Sequence, residues 1–267
     1  MSELILTRKK SKVIREMGAV WAIFAREVTL FLKSPATIIM SLAMPLVMMG
    51  MIGGNLLQNM AGGLDFELGG FMLVGMLVNM LFMTTTTGMA SLVDDHETDF
   101  NQEMLVSPIS RYALVIGKIL GSAFGAIISM VGTLIVGLIM GITLPVGELL
   151  TIVALSPLMC LSGGALAMIV IGLIKSRKAA NFAVTLITMP QMFLSGAIIP
   201  IQNSTGVLKI LSRCMPMTYC LDLVRAVVGG GQPTMFNPLV NCAAIVGLTL
   251  VCLVLGTWFF AQSEKNR

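Results

Sequence analysis

Side chains able to do acid, base, nucleophilic or metal chemistry are few in this sequence. The densest group is Asp94-Asp95-His96-Glu97-Thr98-Asp99. Adjacent ligands point in different directions, and His96 is the single histidine of the chain, so a metal centre there is disfavoured. Nucleophilic catalysis lacks its parts as well: there is no Gly-x-Ser-x-Gly, no His-Glu-x-x-His and no second histidine. No Gly-x-x-x-x-Gly-Lys-Ser/Thr loop occurs either, so the chain has no phosphate cradle for ATP. The chemistry that remains is recognition rather than bond making.

A second group is softer. Met72, Met76, Asn79, Met80, Met83 and Thr87 share one face if the segment around them is helical. Thioethers are polarizable and adapt to varied apolar cargo. Polar side chains inside an apolar helix tend to face protein or a cavity. Plain helix packing explains the same stripe, with Thr84–Thr87 bonding back to their own helix, and both readings stand. Asp222 and Arg225 are three apart, a spacing at which they can pair on one helix. Cys214 and Cys220 share a loop and could bridge, though their spacing does not favour it. Cys160, Cys242 and Cys252 lie in apolar stretches and read as packing residues.

The elements that must carry these residues follow from the charges. Of 267 residues, 56% are hydrophobic and only 11% are charged, against about 25% in a soluble domain. The charges cluster, leaving 34–64, 68–93, 119–147, 149–174, 179–208 and 226–263 free of Asp, Glu, Lys and Arg. Each interval exceeds the ~20 residues of a membrane-crossing helix, and an unpaired charge in hydrocarbon is expensive. Backbone groups must pair internally in lipid, and the short alternating segments of a barrel are missing. An all-α membrane protein with six transmembrane helices is therefore expected, as a single domain over 1–267. Its spans fall at about 36–57, 69–92, 113–139, 149–173, 179–200 and 238–261.

Seven Lys/Arg precede span 1, two lie between spans 2 and 3, three between spans 4 and 5, and two in the tail, fourteen of 17. Lys118 is counted here with the loop before span 3, so the spans read as free of ionisable residues. The positive-inside rule places both termini in the cytoplasm. Basic residues spread over every loop on one side explain the net charge of +4 by orientation, with no nucleic-acid partner. The expected localisation is the cell membrane, multi-pass.

Three segments are not spans. Residues 12–33 place Val13, Met17, Val20, Trp21, Phe24, Val28, Phe31 and Leu32 at three- and four-residue steps, with Arg15, Glu16, Arg26, Glu27 and Lys33 on the other faces. This is an amphipathic interfacial helix, and Ser34-Pro35 supplies a cap and first-turn proline for span 1. The loop 94–111 holds five acids and no base before Arg111, and Phe100, Met104 and Leu105 fit one face of a short docking helix ending near Pro108. The last external loop, about 197–237, is long and apolar, and reads as short helices dipping back into the membrane around Pro216.

Taken in order, these segments resemble the membrane subunit of ABC-2-type ABC transporters, a family of drug, polyketide, nodulation-factor and polysaccharide exporters with a fold like that of the human G subfamily. Arg26-Glu27 followed by Leu30-Phe31-Leu32-Lys33-Ser34-Pro35 resembles the family's connecting helix and elbow. Glu103-Met-Leu-Val-Ser-Pro-Ile-Ser-Arg111 with Gly117-Lys118 resembles its coupling helix and the start of span 3. Phe193-Leu-Ser-Gly-Ala-Ile-Ile-Pro200 resembles its Ser-Gly-x-x-x-Pro element. Met215-Pro216-Met-Thr-Tyr219 with Asp222 and Arg225 resembles its Asn-Pro-x-Thr-Tyr…Arg element, with Met215 where Asn is common. His96-Glu97-Thr-Asp99-Phe100 likewise departs from the usual Arg-Glu-x-Gly-Thr.

The resemblance implies a transport subunit rather than an enzyme. ATP and Mg would be held by a separate ATP-binding subunit docked on 97–106, through Glu97, Phe100, Glu103, Met104, Leu105 and Pro108. A second copy or a paralogue would complete the pathway, along which Asn55, Gln191, Met192 and Phe193 join the span 2 stripe. Ser195, Gly196, Pro200, Pro216, Tyr219, Asp222 and Arg225 would form the outer gate. With two Trp, two Tyr and 23 Met, composition leans toward an amphipathic drug, antibiotic or lipid as cargo, with a polysaccharide or lipid-linked glycan as the alternative. Rival classes are a secondary transporter, disfavoured by the lack of ionisable residues in spans and of internal repeats, an intramembrane enzyme, and a non-transporting scaffold.

Overall fold

A computed structural model describes residues 2–60, 68–96, 110–174, 177–201, 204–228 and 232–265. The described residues are helical throughout: α1 (Ser2–Lys33), α2 (Pro35–Pro45), a π-helical stretch (Leu46–Gly53), α3 (Gly54–Met60), α4 (Leu68–His96), α5 (Arg111–Ile139), α6 (Val146–Leu173), α7 (Arg177–Leu194), α8 (Gly206–Cys214), α9 (Pro216–Val228) and α10 (Pro238–Lys265).

Five stretches are long and apolar enough to cross a bilayer: Pro35–Leu56, Leu68–Leu92, Arg111–Ile139, Val146–Leu173 and Pro238–Gln262. They lie where the charge-free intervals predict. The expected fifth span differs. α7 has 18 residues, opens on Arg177-Lys178, carries Asn181, Thr185, Thr188 and Gln191, and stops at Leu194 instead of residue 200. Its end is set by Gly196, whose φ of +87° lies in the region that glycine adopts without penalty.

α4 is the axis of the bundle. Of its apolar stretch, 89% is buried, against 17% for the first span. It packs on α5, α6, α7 and α9, and Phe71, Leu77, Leu81 and Phe82 are fully covered. No hydrophobic drive separates helix from lipid tail, so close approach through small residues sets such contacts. Gly75 receives the Ala197 carbonyl where any Cβ would collide with it, and Gly163 of α6 sits likewise against the Phe82 carbonyl. Two outer elements, the first span and α10, turn apolar residues outward, including Ile39, Met40, Met51, Leu239 and Trp258.

The two terminal helices pack on one shared cluster. Ile23 of α1 and Phe260 of α10 share a cluster with Leu114, Ile119, Met168 and Ile171. α1 and α2 are divided as expected: Ser34 caps α2, its Oγ accepting from the Thr37 amide at 3.4 Å, with Pro35 in the first turn. α1 is longer than the predicted 12–33, and its contact face is rotated. Ile23, Glu27 and Phe31 lie against α5, whereas Met17 and Trp21 are exposed.

Candidate functional site

At the end far from α1, four elements converge on the turn that follows α7. Gln191 O accepts the Ser195 amide at 2.9 Å, and the chain then reverses through Gly196 onto Gly75 of α4. Arg225 of α9 fastens this turn. Its Nη2 donates to Gly196 O at 2.9 Å and to Phe71 O at 3.4 Å, and its guanidinium lies 3.5 Å from the Phe71 ring centroid. The two carbonyls and the ring face stabilise the buried cation, while its Nε has no hydrogen-bond partner.

Asp222 does not form the expected pair with Arg225 at this site. Its Oδ1 accepts from the Met235 amide at 2.6 Å, and its Oδ2 from the Phe236 amide at 2.9 Å and Asn241 Nδ2 at 2.7 Å. The carboxylate thus binds α9 to the entry of α10. Three residues apart on a helix, the two side chains still leave in different directions because each finds backbone partners on other elements. Those donors and acceptors are invisible to spacing. Thr218 Oγ1 donates to Ser212 O at 2.6 Å and Tyr219 Oη to Arg213 O at 2.7 Å, which closes the α8–α9 corner behind Pro216, the first residue of α9. Tyr219 also stacks on Phe236, 5.5 Å between centroids. Pro200 is half-buried beside the turn. Cys214 is exposed, Cys220 is buried, and both are free thiols.

The stripe on α4 divides. Met72, Met76, Asn79 and Met80 are buried, Met83 is half-buried, and Thr87 is exposed. Met72 and Met76 belong to the main core cluster. Thr85, Thr86 and Thr87 each donate to the carbonyl four residues earlier. Asn79 Nδ2 donates to Met217 Sδ at 3.7 Å, and Gln191 Nε2 to Ile187 O at 3.4 Å. Asn79 Oδ1, Gln191 Oε1 and Ser195 Oγ are buried without a partner. Met192 is buried, Phe193 exposed, and Asn55 exposed with its amide on Met51 O at 3.3 Å.

At the α1 end, Glu27 bonds Arg26 and Lys118, both at 2.9 Å to Oε1. Lys118 was expected in a loop. It lies instead two turns inside α5, almost fully buried, so an ionisable residue does occupy a span. A groove of about 840 Å³ opens beside this contact, with Met17, Val20 and Trp21 on one wall and Tyr112, Ile116 and Leu120 on the other. Glu97, Phe100, Glu103, Met104, Leu105 and Pro108 lie outside the described residues. Among the described residues no cluster of His, Cys, Asp and Glu could hold a metal.

Sequence reasoning missed Phe71, Gly75, Lys118 and Asn241 as working parts. Only the glycines at 117, 121 and 125, spaced by four, hinted that another helix lies on α5.

Long apolar helices, outward-facing apolar side chains and small-residue contacts define an all-α, multi-pass integral membrane protein. Residues 18–228 match the family of ABC-2 type transporters, and the chain belongs to that family. It is similar to Nodulation protein J of Rhizobium meliloti (strain 1021), 27% identical over 157 residues, which span 58% of this chain and 56% of that protein. Nodulation protein J of Rhizobium leguminosarum bv. trifolii is 25% identical over 227 residues, 82% of each chain, and that of Neorhizobium galegae 26% over 206 residues, 74% and 76%. The match to Nodulation protein J of Rhizobium meliloti spans little more than half of that protein's length; what the family match shows is a membrane subunit of the ABC-2 type, in whose sequence no Gly-x-x-x-x-Gly-Lys-Ser/Thr loop occurs.

Proposed function

We propose that this chain is the permease subunit of an ATP-driven exporter whose cargo is a glycan-bearing amphiphile such as a lipid-linked oligosaccharide. One observation carries the choice of cargo. On the adjacent helices α4 and α7, the amide oxygens of Asn79 and Gln191 are buried and unpartnered, as is the Ser195 hydroxyl at the end of α7. A buried polar group without a partner is unfavourable by about 1–3 kcal/mol. Cargo hydroxyls can satisfy these groups when α7 parts from α4, whereas an apolar drug cannot. The likeness to relatives named for nodulation favours the same class over drugs.

In this reading α7 also crosses as the fifth of six spans, both termini are cytoplasmic, and 97–106 docks the ATPase. Thirteen basic residues on one side, with Lys118 set aside as part of a span, support that orientation. Apolar faces on α2 and α7 that no described element covers, with Ile39, Met40, Phe182 and Leu186 exposed, support a second copy as partner. Asn55, Met83, Thr87, Asn79, Gln191, Met192 and Phe193 then border the pathway. Arg225, Gly196 and Asp222 hold its outer gate shut.

The test is stimulation of the ATPase in the reconstituted complex by candidate cargo. Lipid-linked oligosaccharides are expected to stimulate hydrolysis and apolar drugs to leave it unchanged. Stimulation by drugs alone would return the cargo assignment to the drug class.

A further inference from the structure

Along one side of α1, Glu16, Ile23, Glu27 and Phe31 meet α5 at Ser110, Gly117, Gly121 and Gly125 in register. Glu16 Oε2 accepts from the Ser110 Oγ at 2.6 Å and the Ser110 amide at 3.2 Å. Ser110 itself caps α5, its Oγ accepting from the Ala113 amide at 3.1 Å. Two turns further on, Ile23 fills the space over Gly117, where an added Cβ would come to 2.9 Å of the Ile23 Cβ. Glu27 lies so close over Gly121 that a Cβ there would collide with it, and Phe31 covers Gly125. Between these contacts Lys118 Nζ meets Glu27 Oε1 at 2.9 Å, in a site where the lysine side chain is 3% exposed and the glutamate 13%. Phe31 and Phe124 add an edge-on ring contact at 6.1 Å.

Side chains seated in glycine hollows resist sliding along the helix axis, and a buried ion pair resists separation. Ser110 lies four residues after the segment 97–106 assigned to ATPase docking, and Glu16 holds it. We infer that Glu16, Glu27 and Lys118 are positioning residues for energy coupling, which clamp α1 to α5 so that a push at the docking segment moves both helices as one body. α5 then passes the displacement to α4, on which it packs closely. This rests on the reading of the chain as an ATPase-driven permease. Its content is that the stroke enters through α5 rather than by α1 gliding over the bundle.

Two measurements in the complex with its ATPase test the clamp. In the first, Glu27→Lys and Lys118→Glu each keep assembly and ATP hydrolysis but lower export per ATP about 5- to 150-fold, the range of typical coupling energies. The double reversal restores it. Wild-type export per ATP in both single variants, or no recovery in a folded double variant, overturns the inference. In the second, Ile23→Cys with Gly117→Cys is oxidised on a background where exposed Cys214 and Cys242 are serine. Cβ proximity predicts ready bridging, and export is expected to continue across the bridge. Failure to bridge, or export that stops on oxidation and returns on reduction, shows that α1 slides over α5. If the unmodified complex exports nothing with ATP, the permease reading itself falls, a result distinct from either.

Discussion

Replacing Arg225 with methionine tests the gate most sharply. The side chain keeps much of its length and loses its donors, leaving Gly196 O and Phe71 O without the guanidinium they accept from at 2.9 and 3.4 Å. Gly196 O left open is unfavourable by about 1–3 kcal/mol, Phe71 O keeps its partner within α4 and loses only a second bond, about 0.5–1.5 kcal/mol, and loss of the cation over the Phe71 ring adds up to ~2 kcal/mol in a dry site. Relief of a buried charge acts in the other direction, by roughly 1–4 kcal/mol where apolar replacement is well packed. The balance is a loss of about 1–2 kcal/mol, the net of these opposing contributions, concentrated on the turn 195–199. Arg225→Lys retains the charge but serves fewer acceptors and loses the planar stack, so it should fall between. Thermal unfolding in detergent gives the global term, a drop on the order of 5 °C for methionine by the scaling for chains of this size. Hydrogen exchange gives the local term, with the amides of 195–199 losing protection first. If the methionine variant unfolds at or above the wild-type temperature with the turn still protected, the clamp does not hold the gate and the role given to Arg225 is wrong.

Three further outcomes follow from the same geometry. Asp222→Leu strands the Met235 and Phe236 amides and Asn241 Nδ2, and should destabilise by several times the ~1–3 kcal/mol of one lost buried partner. Asp222→Asn, which keeps one acceptor oxygen, should be milder in the same unfolding assay. Gly75→Val drives a side chain into the Ala197 carbonyl, so it should displace the turn, at about 1–3 kcal/mol or more, and raise labelling of a cysteine placed at exposed Ile199. Asn79→Leu removes a buried unpartnered oxygen, so it should leave stability unchanged or raised by roughly 1–3 kcal/mol while lowering export of glycan-bearing cargo. Reduced stability with unaltered export would make Asn79 a packing residue.

Much of this architecture is legible in the charges, because membrane insertion acts on each residue through its local surroundings. Five crossings coincide with charge-free intervals, and the Ser34-Pro35 boundary and the Pro216 helix start follow from caps whose partners are two to six residues away. The errors arise where a partner is remote. Lys118 is grouped with a loop because its carboxylate partner stands 91 positions earlier. Glu27 is assigned to the polar face of α1 because nothing nearby announces that Gly121 leaves room for it. Asp222 and Arg225 are paired with each other because spacing registers side chains and not the backbone groups of another helix. The end of α7 is placed six residues too late because Ser195–Pro200 is uncharged, and hydropathy does not register the positive φ of Gly196. The family motifs found every one of these regions while leaving their bonding open.

The central claim is that this chain moves a glycan-bearing amphiphile at the expense of ATP hydrolysed by a partner. It is tested most directly by reconstituting chain and partner ATPase in liposomes and following a labelled lipid-linked oligosaccharide across the bilayer. The account predicts transfer that needs ATP and both proteins. Transfer by this chain alone on a proton or sodium gradient, unaffected by ATP, would contradict it.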